Sequence, residues 1–327
     1  MNYRWSGALA GLAAVLLGAA VLAPGVAEAQ QYPSGPIRML VGFGPGSTAD
    51  IMARLVGKRL EQKLGQPVVV ENRPGNSSMI AAETVARAPK DGYTLFMGTV
   101  AQTLNPARTK AKFDLSKDMA GVALLGVVPN LLAANPSVPA SNIKELVALA
   151  RAKPDSLTFG TSGAGTASHL AAELFNLYAG TKIVAVHYQG GSNQMLTDLL
   201  ANRVSMAFSV AATLAPHVRN GTLKAIAVAQ PKRASMLPDV PTLAEQGMPG
   251  VDAGIWIGLL APAGTPPVIL NRLSEAANDT LKTPAAAASL RATGIDPLGG
   301  TPAEFDAFIK ADIDKWVKVL VAAGLRK

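Results

Sequence analysis

Apolar and polar residues along this chain fall into blocks that switch between strand and helix periods. Ile37 to Phe43, interrupted only by Arg38, is a mainly apolar run of strand length, followed by a Gly/Pro loop from Gly44 to Ala49. From Asp50 to Leu64 the apolar positions Ile51, Leu55, Val56 and Leu60 return near one face, which predicts a helix stopped by Gly65. Pro67 to Val70 predicts a buried strand, Arg73 to Asn76 a turn, Met79 to Ala88 a helix and Tyr93 to Thr99 a further strand. Continuous apolar strands separated by helices of this length imply a parallel sheet covered on both faces.

A second unit repeats the plan. Helix 142–152 precedes strand 157–160, a Gly-rich turn, helix 167–178, strand 183–187, another Gly turn and helix 193–201. Strands near 205–209 and 223–228 complete it. Two long apolar stretches, Val122 to Ala134 and Ile255 to Ala261, sit where the chain would enter and leave this unit, and are expected to be paired crossover segments. The expected organisation is therefore a discontinuous first α/β domain, 30–133 with 254–327, and an inserted second one, 134–253. Near the C-terminus, Thr265 with Pro266 predicts one helix start, and Thr301-Pro302-Ala303-Glu304 is a capping box with Pro at the first helical position. Phe305, Phe308, Ile309, Ile313, Trp316 and Val317 then form an apolar stripe expected to pack on the first domain.

The first residues change the picture from fold to compartment. Arg4 is the only charge before the apolar run Gly7 to Leu22; Pro24 and Gly25 follow, then Ala27-Glu28-Ala29, a small-x-small exit that a signal peptidase would cut before Gln30. The run is shorter than the ~20 residues a spanning helix needs and ends in helix breakers, so 1–29 is expected to be a cleaved leader and the mature chain periplasmic. The chain has no cysteine, which excludes a disulfide framework, a thiolate metal site, a cysteine nucleophile and a lipidated cysteine after the leader. Net charge is +8, but Lys and Arg are scattered and aromatics make up only 5%. That pattern favours small anionic ligands over nucleic acid.

Chemistry concentrates where strands run into helices. One loop is Gly42-Phe43-Gly44-Pro45-Gly46-Ser47-Thr48-Ala49-Asp50 and another is Thr161-Ser162-Gly163-Ala164-Gly165-Thr166-Ala167-Ser168-His169; Tyr188-Gln189-Gly190-Gly191-Ser192 is a weaker third. The first N–H groups of a helix lack internal partners and carry the positive end of its dipole, so such loops capture anions. In open parallel sheets this position beyond the carboxyl ends of the strands is where ligands bind. A phosphate-binding Walker loop needs a lysine that neither loop has. The dinucleotide pattern is only partial, with Gly42 and Gly44 followed by Ser47, and Glu71 imitating the ribose-binding acid. The glycines could also serve tight turns and helix capping alone. The three histidines, His169, His187 and His217, have no metal-site spacing, and the nucleophile-elbow pattern fails at Ala164. His169 is expected to orient its loop through a hydrogen bond.

At these loops the chain resembles the Bug family, the solute receptors of tripartite tricarboxylate transporters. The resemblance runs through Tyr32-Pro33-Ser34-Gly35-Pro36-Ile37-Arg38, through Phe43, Pro45, Gly46 and Asp50, and through Pro67-Val68-Val69-Val70-Glu71-Asn72-Arg73-Pro74-Gly75. It continues at Pro89-Lys90-Asp91-Gly92-Tyr93-Thr94-Leu95, at Ser162-Gly163 with Thr166 and His169-Leu170, and at Leu237-Pro238-Asp239-Val240-Pro241-Thr242. It implies an α/β, two-lobed type II periplasmic-binding-protein fold with two crossover strands and a ligand carboxylate held between two helix N-termini. By position, Phe43, Gly44, Gly46, Ser47 and Thr48 would line one wall. Ser162, Gly163 and Thr166 would face them, with Thr99 and Tyr188 at the edges. The family often has Asp after Phe in the fourth strand of the second domain; here Ser209 follows Phe208, which favours a carboxylate without an amine.

The function expected from the sequence is a periplasmic receptor, monomeric and without cofactor, metal or catalytic residues. It would capture a di- or tricarboxylate or an aromatic acid and hand it to membrane transporter subunits. Two alternatives stay open at this point: an enzyme on the same scaffold, nucleotide-dependent or hydrolytic, and a ligand sensor without its own transporter.

Overall fold

A computed structural model describes residues 32–108, 113–164, 166–188 and 191–325, so the expected leader lies outside the described residues. The chain forms β1 (Ile37–Val41), α1 (Thr48–Leu64), β2 (Val68–Asn72), a 3-10 turn (Asn76–Ser78), α2 (Met79–Ala86), β3 (Thr94–Thr99), α3 (Ala101–Arg108), α4 (Leu115–Asp118) and β4 (Met119–Val128). It continues through β5 (Asn130–Ala134), α5 (Ile143–Ala152), β6 (Thr158–Thr161), α6 (Ala167–Ala179), β7 (Val184–His187), α7 (Gly191–Leu200), β8 (Met206–Val210), α8 (Ala211–Arg219) and β9 (Lys224–Val228). β10 (Ile255–Pro262), α9 (Pro267–Leu281), α10 (Pro284–Ala292), β11 (Asp296–Pro297) and α11 (Pro302–Ala322) follow.

Two sheets result, in the orders β11-β4-β10-β3-β1-β2 and β7-β6-β8-β5-β9. β1 runs parallel to β2 and β3, and β6 runs parallel to β7 and β8. Both sheets are nonetheless mixed. β10 is antiparallel to β3 and β4, and β5 is antiparallel to β8 and β9. The helices between β1, β2 and β3 return the chain for parallel pairing, whereas the crossing segments join elements in different sheets and pair with each other's direction reversed. The apolar stretch 122–134 is not one strand. Pro129 has no N–H for a ladder, and it separates β4 in one sheet from β5 in the other.

Several boundaries shift for local reasons. α1 begins at Thr48, ahead of the expected Asp50, because the Ser47 hydroxyl caps it, accepting from Asp50 N at 3.3 Å. The strand at Val68 was expected to be buried, but β2 is an edge strand and Val69 is 48% exposed. α9 is preceded by Pro266, not capped by Thr265; the Thr265 hydroxyl donates to Pro262 O instead. The Thr301 capping box forms as its sequence requires. α3 and α8 went unrecognised in the sequence; both carry a proline, Pro106 and Pro216, that argues against a helix interior.

α11 joins the two layers. Phe305, Ile309 and Trp316 are buried, and the helix packs on β4 and α3 but also reaches α6 of the second lobe. Asp312, on its inner face, is a buried carboxylate ringed by donors. It accepts from Trp256 Nε1 and Thr103 Oγ1 (both 2.9 Å), from Trp316 Nε1 (3.0 Å) and from Lys315 Nζ (2.8 Å). A buried charge is tolerated only when paired and hydrogen-bonded in this way. It fastens α11 to the crossover strand β10.

Candidate functional site

The loop after β1 is shaped by its own helix. Gly46 takes φ +80°, a left-handed conformation that suits glycine, and its N–H donates to Asp50 Oδ2 at 2.9 Å. Asp50 is only 3% exposed. Its carboxylate also accepts from Asn72 Nδ2 (2.9 Å) and from Arg54 Nε and Nη2 (both 3.0 Å), while Asn72 Nδ2 donates in addition to Phe43 O at 3.0 Å. Burial pushes the Asp50 carboxyl up, but the bonds from Arg54, Gly46 and Asn72 and the Arg54 charge outweigh it and hold the group below its usual range. The sequence placed Gly46 among the ligand-facing groups, yet its amide is spent inside the loop. Ser47 N donates to Gly44 O at 3.3 Å and Asp50 N to the Ser47 hydroxyl, so both are spent as well. Thr48 N and Ala49 N have no partner among the described residues, which makes them the open donors of this helix start.

The turn behind this loop was not foreseen. Asn76, Ser77 and Ser78 all take positive φ (45°, 50° and 74°), a run that costs about 1–2 kcal/mol per residue outside glycine. Ser78 presses on Gly42, where a Cβ would lie 1.8 Å from its Oγ. Strain of this kind persists only where the surroundings impose it, and it gathers at functional sites. Ser78 Oγ and Gln102 Nε2 are both buried without a partner among the described residues. Gln102 Oε1 accepts from Thr99 N at 2.8 Å, and Thr99 Oγ1 accepts from Ala101 N at 3.3 Å, so the Thr99 hydroxyl turns the chain at the end of β3. The turn expected at Arg73 to Asn76 stops short of Ser77 and Ser78, and nothing in the sequence marks Ser78 as a neighbour of the loop after β1.

The second loop is built on hydroxyls. Thr166 caps α6, accepting from His169 N (3.5 Å) and donating to Gly163 O (2.7 Å). Ser162 Oγ lies 2.9 Å from Ser168 Oγ and 3.3 Å from Thr166 Oγ1; Ser168 Oγ lies 3.1 Å from Thr166 Oγ1 and also accepts from Ser162 N at 2.9 Å. The three hydroxyls form one group, of which Ser168 was missed in the sequence. Ala167 N and Ser168 N have no partner among the described residues, as at Thr48 and Ala49. His169 does brace the loop, through its backbone. Its ring packs edge-on against His187 with centroids 4.4 Å apart and lies 3.5 Å from Glu173 Oε1. His187 Nδ1 sits 2.7 Å from Thr161 Oγ1, and burial, then the neighbouring His169, holds its pKa below the usual value.

Tyr188 and Ser209 are buried rather than placed at an open rim. Tyr188 is 8% exposed, and burial, followed by a hydrogen bond to Asp198, pushes its phenol up to about 12. It meets the loop through its backbone, where Tyr188 N donates to Thr161 O at 3.0 Å. Ser209 lies on β8 opposite Leu131, beside the Phe208 ring that packs on Phe159 and Phe175. Among the described residues no hydrogen bond joins the loop after β1 to the loop after β6, and none of their groups could hold a metal ion through three or more His, Cys, Asp or Glu side chains. No helix of the described residues is long and apolar enough to cross a membrane.

The twin helix starts at the carboxyl ends of β1 and β6 can be set beside known proteins. Residues 52–325 match the family model described as tripartite tricarboxylate transporter family receptor. Protein BugT of Bordetella pertussis is 33% identical over 305 residues, 91% of this chain and 92% of that one. The structure of R. palustris Rpa4515 with adipate is 35% identical, covers 90% of this chain and 98% of that one, and superposes with TM-score 0.69. A TctC solute binding protein from Polaromonas, solved with no ligand, is 25% identical, covers 88% and 99%, and gives TM-score 0.80. The chain belongs to the tripartite tricarboxylate transporter receptor family, periplasmic solute-binding proteins with a two-lobed α/β fold.

Proposed function

We propose that this receptor binds a small carboxylate lacking an amino group, gripped between the first turns of α1 and α6. The observation that carries this is the matched pair of helix starts, each with open amides: Thr48 and Ala49 on one lobe, Ala167 and Ser168 on the other. The Ser47 and Thr48 hydroxyls add donors on one wall, the linked Ser162, Ser168 and Thr166 hydroxyls make the other wall polar, Phe43, Gly44, Gly46 and Gly163 shape the walls, and Thr99, Tyr188 and Ser209 close the site from behind. Ser209 puts no charge on the wall of the second lobe. Adipate, the dicarboxylate in the structure of the R. palustris relative, is the class of ligand meant.

The leader 1–29 is removed, and the mature chain acts in the periplasm as a monomer, without catalysis, cofactor or nucleic acid, and delivers its ligand to the membrane subunits of a tripartite transporter. We draw the lobe boundaries at Pro129, ahead of the expected 133/134, and at Gly254, because β5 pairs in the second sheet.

The test is a thermal-shift screen of mature protein, unfolded and refolded to strip ligand, against mono-, di- and tricarboxylates and the matching amino acids. Ligand at 100 times its Kd adds about 2.7 kcal/mol to stability by mass action, ample for a clear shift. A selective rise with amine-free carboxylates is the expected result. Shifts with amino acids of equal size would overturn the amine-free assignment, and a shift with nucleotides or esters alone would overturn the receptor role.

A further inference from the structure

The crossover strands divide each sheet into a front and a back. In the first sheet β4 and β10 have β3, β1 and β2 on one side, carrying Thr99 and the loop before α1, and only β11 on the other. In the second, β5 has β8, β6 and β7 on the side of Ser209, the Ser162–Thr166 loop and Tyr188, and only β9 on the other. The candidate site is therefore in front of the crossing strands in both lobes.

Behind them the lobes touch. Asp296, the first residue of β11, accepts from Gln230 Nε2 at 3.2 Å and from Ser235 N at 3.2 and 3.3 Å, both donors lying on the segment that follows β9. Gly294 meets the second lobe too: a Cβ there would lie 2.9 Å from Ala212 Cβ. Around these contacts is a cavity of about 390 Å³, lined by Val127, Trp256, Asp296 and Arg291 on one side and by Gln230 and Ser235 on the other. The pivot itself is laced through Asn130, whose Nδ2 donates to Ala253 O and whose carbonyl accepts from Ala229 N. So, besides the apolar packing of α11 on α6, few polar contacts hold the lobes behind the pivot, while the two loops in front share no hydrogen bond among the described residues.

We propose that the Asp296–Gln230–Ser235 contact is a latch that opposes closure and thereby sets the affinity of the front site. Lobes that turn about the crossing strands to narrow the front must widen the back. β11 stands one to two strand spacings, roughly 5–10 Å, off the crossing pair, so a turn of about 15° lengthens a back contact by roughly 1.3–2.6 Å. That takes bonds of 3.2 Å out of hydrogen-bonding range. Ligand binding then has to break the latch, and part of its free energy is lost there. The latch is not a strong one: Gln230 donates from one side of its amide while its buried Oε1 has no partner among the described residues.

The proposal rests on the carboxylate-receptor function, and its test separates the two. Asp296→Ala removes the shared acceptor and Gln230→Ala one donor; neither residue is at the front site. The Kd of each variant for the carboxylate found in the screen is measured by titration calorimetry, with circular dichroism to verify the fold. Loss of one to two ordinary hydrogen bonds from the open form should tighten binding by about 5- to 30-fold, with the double variant gaining little beyond Asp296→Ala. A purely structural role would weaken binding or leave it alone, so an unchanged or raised Kd in folded variants overturns the latch. Should wild-type protein bind no carboxylate, the receptor function fails and the latch is tested without ligand. Spin labels on Lys58→Cys and Lys144→Cys, possible because the chain has no cysteine of its own, report the distance between lobes. Asp296→Ala should then add closed distances, and an unaltered distribution overturns it.

Discussion

Replacing Asp50 with Asn tests whether the loop before α1 is ordered by a charge. The wild-type carboxylate receives four donors, from Gly46, Asn72 and twice from Arg54. The Arg54 side chain is 54% exposed, so its bonds count only as a surface pair worth under about 1 kcal/mol. The Gly46 and Asn72 bonds are partly buried and go to a charged acceptor, about 1.5–3 kcal/mol each, nearer the lower figure with solvent close by. Asparagine keeps one acceptor and turns its amide nitrogen toward a donor. One charged bond is lost and the other reduced to neutral strength, a net cost of about 2–3 kcal/mol. The sign of the pH dependence follows from the direction of the shift. The folded carboxyl lies below the ordinary 3.8, so its stabilisation is complete above that value and disappears as pH falls through the lower folded one. Urea unfolding followed by tryptophan fluorescence should give the full gap between Asp50→Asn and wild type at pH 7 and a smaller gap toward pH 2. A variant within about 0.5 kcal/mol of wild type at pH 7, or a gap that ignores pH, refutes the argument.

Other perturbations probe other parts of the molecule. Gly46→Leu should keep the fold, since its Cβ meets nothing within 4 Å, and lose about 1–2 kcal/mol to the positive φ; carboxylate affinity should collapse as the side chain enters the cleft, and wild-type titration curves would remove Gly46 from the wall. Asp312→Ala leaves two indole N–H groups and Lys315 facing an empty acceptor, which should cost about 3–5 kcal/mol in urea unfolding. Burial raises the Asp252 carboxyl above its ordinary 3.8, so the charged form is penalised in the fold above the raised value and relieved as pH drops back toward 3.8. Asp252→Asn should accordingly stabilise at pH 7, with an advantage that fades on acidification; a destabilised variant would contradict this. His187 has the opposite habit: its folded pKa lies below 6.5, so stability should fall as pH drops from 6.5 toward the folded value, and a glutamine there should flatten that limb of a melting-temperature profile.

What the sequence settled by itself was whatever depends on neighbours a few residues apart. Thr301 with Glu304 caps its helix as written, because a cap reaches only two or three residues along the chain, whereas the cap expected at Thr265 did not form and the cap at Ser47 started its helix ahead of the expected Asp50. Strand and helix blocks, and the loops that join them, were legible for the same reason. The helices containing Pro106 and Pro216 were not, since packing overrode a local signal that pointed the other way.

Which amides stay open to a ligand was decided only by the tertiary structure. Gly46 N–H looked available until Asn72, 22 residues beyond Asp50, fixed the carboxylate that takes it. Thr99, Tyr188 and Ser209 were placed near the site by position alone, and the fold buried all three. The direction of the crossing strands, the exposure of β2 at its sheet edge and the Gln230–Asp296 contact across 66 residues have no local signature either. Hydrogen-bond acceptors compete for donors in space, and the sequence gives no distance between residues until the chain has closed its loops. Local pattern thus determined the elements and the helix starts suited to an anion, while packing determined which donors remained free and which residues hold the lobes apart.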